Sequence, residues 1–156
     1  KQIIDSSNSK SLIDFGCGKA KYYNEKVIIN NTQYKNIASY WKINDYFLYD
    51  PGVKVFSKYP THKADGVICV DVVEHIPEKD VINFIEELFR LAKKFVFIVI
   101  ACYPAKKQLP DGRNVHLSIK EVDEWKKIIS EIRRKFSDIY PYVICSTQRK
   151  KFVAIS

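Results

Sequence analysis

Strand patterns and a helix pattern alternate in the second half of the chain, which limits the folds open to it. Residues 66–70 form a nearly continuous β-branched run, and residues 95–101 form a second apolar run of strand length. Between them, over residues 78–94, apolar side chains recur at helical spacing just after Pro77. Apolar runs of this kind are typical of strands buried on both faces of a parallel sheet. This order predicts an α/β domain.

The alternation extends to both ends of the chain. Further strands are predicted over residues 11–15, 45–50, 139–146 and 151–156, and further helices over residues 20–29 and 120–136. Residues 30–32 are expected to end the first of these helices, and residues 54–60 to form a loop or an edge strand. The last two strands are close enough to form a hairpin. We therefore predict a single domain over residues 1–156: a Rossmann-like, doubly wound, mostly parallel sheet with a C-terminal antiparallel hairpin strand.

Composition and charge restrict the classes of function. No stretch approaches the ~20 apolar residues that a membrane span requires, and residues 1–5 lack the apolar core of a signal peptide. We therefore expect a cytoplasmic protein. Its four widely spaced cysteines contain no CxxC pair, which predicts reduced and mostly buried thiols.

The formal net charge of +8 favours phosphate-bearing partners. However, the basic doublets and triplets are scattered along the chain and most alternate with acids. A polyanion-binding face and an ordinary solvated surface both remain open.

A glycine pair directly follows the first predicted strand, in the run Asp14-Phe15-Gly16-Cys17-Gly18. Glycines at this position let the backbone pass close to a ligand, although a tight turn alone would also use them. Asp14 and Asp50 each lie at the end of a predicted strand, where open α/β sheets bind ligands. A dinucleotide-binding loop would have a small residue at position 21, which is Lys21 here.

This run resembles motif I of the class I S-adenosylmethionine-dependent methyltransferases, with Ala20 in place of a third glycine. The resemblance continues through residues 64–77, which look like the family's fourth strand and the loop after it. It implies S-adenosylmethionine as the cofactor, with Gly16 and Gly18 along its methionine portion, Asp14 holding the amino end through the loop, and Asp50 on the ribose hydroxyls. By position, the cofactor-binding residues are Asp14, Gly16, Cys17, Gly18, Asp50, Pro51 and Asp71.

Two departures from the family pattern concern the ribose and the adenine. Asp50 lies 32 residues after Gly18, farther than the ~20 residues of a dinucleotide fingerprint, and an insertion over residues 33–42 accounts for the difference. The third strand of the family is not recognisable. Tyr59 and Pro60 are the candidates for contacting the adenine.

A second group of polar residues follows the fourth strand, as Asp71-x-x-Glu74-His75, and His116 lies in the loop after the fifth strand. The topology predicts that both segments emerge at the same sheet edge. Two carboxylates and two imidazoles can bind Mg²⁺ or Mn²⁺. The arrangement is similar to that of small-RNA 2′-O-methyltransferases and to the Glu-His loop of ubiquinone-type O-methyltransferases. Two alternatives remain: a helix cap formed by Glu74 and His75, or a general base at His75 or His116.

The loop over residues 102–118 carries Arg113, whose planar guanidinium matches phosphate or carboxylate groups. We expect Arg113 to contact an anionic acceptor, unless the loop is merely solvated. The candidate catalytic residues are Glu74, His75, His116 and Arg113. No Asn/Asp-Pro-Pro-Tyr run or Pro-Cys nucleophile follows the fourth strand, which argues against methylation of DNA bases.

The predicted function is therefore O-methylation of a small molecule, a sugar or a lipid precursor. The first alternative is methylation of RNA, which includes a metal-assisted 2′-O reaction. The second is a cofactor-binding module without catalysis. They differ in their expected partners: a small-molecule acceptor, an RNA, or the cofactor alone.

Overall fold

The structure, a computed structural model, describes residues 1–148 and 151–155. Its helices are α1 (Gln2–Ser6), α2 (Lys21–Asn24), α3 (Ile37–Trp41), α4 (Val81–Leu91) and α5 (Val122–Lys135). Its strands are β1 (Ser11–Phe15), β2 (Val27–Ile29), β3 (Thr32–Tyr34), β4 (Asp45–Tyr49), β5 (Ala64–Val70), β6 (Ala92–Ala101), β7 (Tyr140–Gln148) and β8 (Lys151–Ile155). Arg149, Lys150 and Ser156, which belong to the predicted terminal hairpin, lie outside the described residues.

Six of these strands form one sheet in the order β4-β1-β5-β6-β7-β8. The first five strands of that order are parallel, and β8 runs antiparallel to β7. The predicted mostly parallel sheet with an antiparallel C-terminal strand is therefore confirmed. Because β1 lies between β4 and β5, the strand order reverses at β1. The carboxyl end of β1 is thus a topological switch point, where open α/β sheets bind ligands.

The main hydrophobic core lies between the sheet and the two long helices. The apolar stripes of α4 and α5 pack on the same face of the sheet, and their buried members include Ile85, Leu88, Phe89, Trp125, Ile129 and Ile132. Each such side chain contributes about 1.5–3 kcal/mol through burial. The helix α5 begins at a capping box formed by Glu121 and Glu124. The two helices fix the segments that leave β5 and β6.

A smaller cluster of residues covers the other face of the sheet. Ile4 of α1 packs there against Leu12, Ile68 and Phe95, while α2 and α3 pack around Tyr23. None of the described helices combines the length and the hydrophobicity of a membrane span. All the cysteines are free thiols among the described residues, as predicted. Cys69 and Cys145 are fully buried, and the other two are partly buried.

The predicted helix over residues 20–29 is wrong in its second half. Only Lys21–Asn24 are helical, whereas Val27–Ile29 pair with Thr32–Tyr34 as a separate two-stranded hairpin. Its turn is formed by Asn30 and Asn31, which have φ angles of 49° and 62°. Two consecutive left-handed residues are the requirement of a type I′ hairpin turn, and Asn tolerates that conformation. Residues 54–60 form a loop with one 3₁₀ turn at Lys54–Phe56.

The predicted helix over residues 78–94 is shorter than its sequence pattern. It starts as a 3₁₀ turn at Glu78–Asp80, becomes the helix α4 at Val81 and ends at Leu91. Ala92 already pairs with Ala64 as the first residue of β6. Sheet pairing therefore overrides the helical periodicity at the last three predicted positions.

Candidate functional site

The loop after β1 is bonded to the carboxyl end of the neighbouring strand β4. The backbone N–H groups of Gly16 and Cys17 donate to the carbonyl oxygen of Tyr49, at 2.7 and 3.1 Å. The N–H of Gly18 donates to Oδ2 of Asp50 at 2.8 Å. The structure therefore brings the predicted glycine loop and Asp50 together at the switch point of the sheet.

The two glycines of this loop have different surroundings. Gly16 has a φ of +92°, and a Cβ built there would lie 2.3 Å from Cγ2 of Val72. The packing of the protein itself therefore requires a glycine at position 16. Gly18 has a φ of +54°, and no described heavy atom lies within 4 Å of where its Cβ would be. Gly18 thus faces open space.

The space next to Gly18 is open on the side where its Cβ would point. None of five surface cavities of about 210 to 440 Å³ in the part of the chain that the structure describes is lined by Gly16, Gly18 or Asp50. A ligand at this corner would therefore lie against the loop on the surface of the protein.

Asp50 holds the loop in place through both of its carboxylate oxygens. Oδ2 accepts the bond from Gly18, and Oδ1 accepts one from the N–H of Gly52 at 2.8 Å. Each oxygen of a carboxylate has a further lone pair, so both can also accept a bond from a ligand hydroxyl. Pro51 lies in the exposed turn next to Asp50. The predicted contact between Asp50 and a ribose stays a prediction.

Asp14 is an acidic group that the fold keeps mostly out of water. Burial raises the pKa of its carboxyl to about 6, and the nearby charge of Asp50 adds to the rise. The buried hydroxyl of Tyr23 lies near Asp14 without a hydrogen bond of normal geometry among the described residues. Burial and the two carboxylates also raise the pKa of Cys17 to about 12, so Cys17 stays a thiol at neutral pH. This corner is therefore suited to a positively charged ligand.

Tyr59 and Pro60, the candidates for contacting an adenine, lie on the side of the sheet covered by α4. The hydroxyl of Tyr59 donates to Glu87, and its ring packs against Phe15 and Tyr49 at centroid distances of 6.2 and 5.4 Å. Pro60 is buried. In the structure these two residues make contacts within the protein.

A second group of candidate residues lies at the same edge of the sheet, just after β5. The ligand atoms of Glu74, His75 and His116 all lie within 4.8 Å of one another. The structure thus brings together three of the four predicted metal ligands. Asp71 is outside this cluster: it is exposed, has a φ of +55°, and bonds through its N–H to Val99.

The two imidazole rings are oriented by backbone carbonyl groups. Nδ1 of His75 lies 2.8 Å from the carbonyl oxygen of Val115, and Nδ1 of His116 lies 2.6 Å from that of Tyr103. A carbonyl oxygen only accepts hydrogen bonds, so both Nδ1 atoms must carry the proton. In the neutral imidazole this leaves a lone pair on each Nε2. Metal-binding histidines commonly show this arrangement.

Glu74 supplies a buried carboxylate with one unused oxygen. The side chain is only 1% exposed, and Oε1 accepts a bond from the N–H of Ala101 at 3.2 Å. Oε2 has no hydrogen-bond partner among the described residues. Burial raises the pKa of this carboxyl, and the charge of Asp71 adds to the effect. A buried oxygen without a partner is costly, and a bound cation would remove that cost.

The loop over residues 102–118 is bonded to the segment that carries Glu74. Ser118 donates through its N–H to the carbonyl oxygen of Glu74 at 3.0 Å and through its hydroxyl to that of Ile76 at 2.6 Å. Arg113 lies farther out on this loop. Its guanidinium is exposed and paired with Asp111 at 2.6 and 2.8 Å. The predicted contact between Arg113 and an acceptor stays a prediction, and it would have to compete with Asp111.

A surface cavity adjoins the histidine cluster. It has a volume of about 440 Å³ and is lined by Tyr103, Pro104, Ala105, Lys106 and Gln148. Tyr103 joins the cavity to the cluster, because its ring lies 6.1 Å from that of His116 and its carbonyl oxygen orients the same imidazole. The cavity and the cluster therefore lie next to each other, with Tyr103 between them.

Two residues that shape this site were not singled out in the sequence. Ser118 is fully buried, and Asn114 makes three hydrogen bonds to backbone groups of the loop. Asn and Ser are frequent in loops because they bond to nearby backbone groups. That general preference does not indicate which of them reach across a loop.

The chain matches no protein-family model, and comparisons with curated proteins and with solved structures find no match either.

Proposed function

We propose that the chain is an S-adenosylmethionine-dependent O-methyltransferase whose acceptor site holds a divalent cation on Glu74, His75 and His116. The observation that carries the proposal is the contact between the two half-sites. Val72, two residues before Glu74, packs against Gly16 of the glycine loop. The open corner at Gly18 and the ligand cluster therefore adjoin at one edge of the sheet, as a two-substrate transfer requires.

The residues of the cluster fit a metal ion by their chemistry. One buried carboxylate has an oxygen that finds no partner within residues 1–148 and 151–155, and the two imidazoles each have a lone pair on Nε2 because their Nδ1 atoms face carbonyl oxygens. Mg²⁺ prefers oxygen ligands, whereas two imidazoles with one carboxylate suit a first-row ion. Because Asp71 is outside the cluster, Mn²⁺ fits better than Mg²⁺.

The residues of the glycine corner fit the charge of the cofactor. S-adenosylmethionine is positive at its sulfonium and amino groups, and the carboxylates of Asp14 and Asp50 lie at this corner. The missing side chain of Gly18 lets the backbone approach the ligand. Keeping Asp14 buried is unfavourable for its ionised form, as its raised pKa shows. A costly buried carboxylate at a switch point is typical of a functional site.

The chemistry asks mainly for alignment of the two reactants. A divalent cation at the cluster would lower the pKa of the acceptor hydroxyl. Glu74, His75 and His116 hold that cation, the glycine loop and Asp50 orient the cofactor, and the cavity beside Tyr103 receives the acceptor. Good alignment contributes about 7–11 kcal/mol in favourable cases.

The cavity beside His116 supports a small acceptor with an anionic group. Its surface is mainly apolar, and the charged group on its lining is Lys106. A volume of about 440 Å³ is in the usual range for small-molecule sites. An acceptor with an apolar body and a carboxylate or phosphate matches this lining.

RNA is the second candidate acceptor because Lys106 lines the cavity and the next residue, Lys107, is a second exposed lysine. Affinity for RNA would then fall steeply as salt rises, since phosphate contacts release counterions. An RNA whose binding is unchanged between 50 and 200 mM salt (roughly the range over which such contacts weaken) would contradict this alternative.

Two measurements test the proposed function. Calorimetry with S-adenosylmethionine is expected to show binding in the micromolar range, on the order of 8 kcal/mol; no binding at millimolar concentration would contradict the cofactor assignment. Transfer of a labelled methyl group to small hydroxyl compounds and to RNA then identifies the acceptor. Binding without transfer to either class would favour the non-catalytic module.

The metal is tested by comparing two histidine variants. His116→Ala and chelation are both expected to abolish methyl transfer and to leave cofactor binding intact. His62→Ala is the matched control, because His62 is exposed and precedes β5, whereas the cluster follows the other end of that strand. Transfer that survives both chelation and His116→Ala would contradict a role for the metal.

A further inference from the structure

Asn114 bonds two distant parts of the long loop to each other. Its Oδ1 accepts from the N–H of Ala105 at 3.0 Å and from the N–H of His116 at 2.9 Å, while its Nδ2 donates to the carbonyl oxygen of Ala105 at 2.9 Å. The side chain thus offers an acceptor and a donor in one plane. Asp has no donor for the Ala105 carbonyl, and Ala has neither group.

These bonds determine where the imidazole of His116 lies. The ring is oriented by the carbonyl oxygen of Tyr103 at 2.6 Å, and Tyr103 is two residues before Ala105. Asn114 therefore fastens the segment that carries this carbonyl to the segment that carries the imidazole. The eight residues between Ala105 and Asn114 join the two segments through the chain. The N–H of Val115, which donates to the carbonyl oxygen of Lys107 at 3.3 Å, adds a backbone bond across the same loop.

The same bonds hold one wall of the cavity beside the cluster. Tyr103, Ala105 and Lys106 belong to that wall, and Asn114 holds Ala105 by both its N–H and its carbonyl group. Asn114 thus bonds both to the cavity wall, at Ala105, and to the backbone of His116.

We infer that Asn114 is a positioning residue that sets His116 as a ligand and couples the metal cluster to the acceptor cavity. The inference rests on the metal site of the proposed function. Residues that orient a metal ligand typically affect metal affinity by 10- to 100-fold when they are replaced. We therefore expect Asn114→Ala to weaken Mn²⁺ binding by about 10-fold or more.

A matched control separates positioning from a general loss of stability. Asn36 also makes three side-chain hydrogen bonds, to Tyr23 and Ser39, but it caps α3 away from the cluster. In thermal unfolding, Asn36→Ala is expected to lower the melting temperature about as much as Asn114→Ala. In calorimetric titrations with Mn²⁺ alone, Asn36→Ala is expected to keep the wild-type affinity. Equal Mn²⁺ affinity in wild type and Asn114→Ala would overturn the inference.

The imidazole signals of His116 give a second readout that needs no metal. In the wild type, nitrogen NMR is expected to show the tautomer with the proton on Nδ1. Asn114→Ala is expected to give a mixture of tautomers. Asn114→Asp keeps the acceptor for the N–H groups of Ala105 and His116 but cannot donate to the Ala105 carbonyl, so it is expected to retain more of the wild-type tautomer than Asn114→Ala. A wild-type tautomer in Asn114→Ala would refute the positioning role.

The two readouts distinguish failure of the inference from failure of the metal site. If the wild type binds no Mn²⁺ at millimolar concentration, the metal site of the proposed function is wrong, and the NMR signals alone decide whether Asn114 positions His116. If the wild type binds Mn²⁺ and either readout is unchanged in Asn114→Ala, the metal site stands and the inference fails.

Discussion

Alanine at Gly16 and alanine at Gly18 change different properties of the protein, because the two missing side chains have different surroundings. At Gly16 a Cβ would lie 2.3 Å from Cγ2 of Val72, in a backbone with a φ of +92°. The left-handed backbone costs about 1–2 kcal/mol and the overpacking about 1–3 kcal/mol, so we expect a total of about 2–5 kcal/mol. For a chain of this size that corresponds to a melting temperature lower by roughly 4–20 °C.

At Gly18 the expected loss of stability is smaller and the loss of binding is larger. Its φ of +54° costs an alanine about 1 kcal/mol, and its Cβ would meet no described atom within 4 Å. The same Cβ would point into the space assigned to the cofactor. Overpacking of about 1–3 kcal/mol against a bound ligand corresponds to an affinity about 5- to 150-fold lower.

Scanning calorimetry and titration with S-adenosylhomocysteine measure the two effects separately. Gly16→Ala combined with Val72→Ala is expected to recover the packing part of the lost stability and to keep the backbone part. Wild-type ligand affinity in Gly18→Ala would refute a cofactor next to Gly18, and a wild-type melting temperature in Gly16→Ala would refute the close packing of Val72 on Gly16.

Two further predictions concern the buried acid and the misread hairpin. The folded-state pKa of Asp14 is about 6, raised from 3.8 by burial, so the wild type is expected to lose up to about 3 kcal/mol of stability as the pH rises from about 4 to about 6. Urea unfolding of Asp14→Asn should lack most of this loss; an unchanged pH profile would contradict the burial of the charge. Asn31 has a φ of 62°, so Asn31→Ala is expected to destabilise the protein by about 1–2 kcal/mol, while Asn31→Gly should not. Equal melting temperatures for these two variants would argue against the type I′ turn.

The order of the main strands and helices was predictable because it depends on local patterns. The stripe of α4 and the apolar run of β6 are visible in any window that contains them. The helix prediction was wrong at Val27–Ile29 because three apolar residues fit a helix and a strand equally well. The left-handed backbone of the two asparagines that follow decides between them, and it is not readable from spacing.

The candidate site was predictable in its residue types and less so in its geometry. Glu74, His75 and His116 were expected to meet because parallel strands present their carboxyl ends at one edge, and the structure brings them together. Asp71 shares the same sequence run, but its φ of +55° belongs to a bend at the end of β5. Sequence spacing does not reveal such a bend.

Contacts between distant segments account for the rest of what the sequence did not show. Gly16 and Gly18 look alike in the sequence, and only the position of Val72 separates a structural glycine from an open one. Asn114 acts across a loop through Ala105. Both contacts exist only once the chain has folded.

The most direct test of a cofactor corner beside a metal cluster is a crystal structure with S-adenosylhomocysteine and Mn²⁺. We expect adenosyl density along the backbone of Gly18 within reach of Asp50, and an anomalous peak bonded to Glu74, His75 and His116. A structure at saturating ligand with an empty surface at Gly18, or with the adenosyl group bound elsewhere, would contradict it.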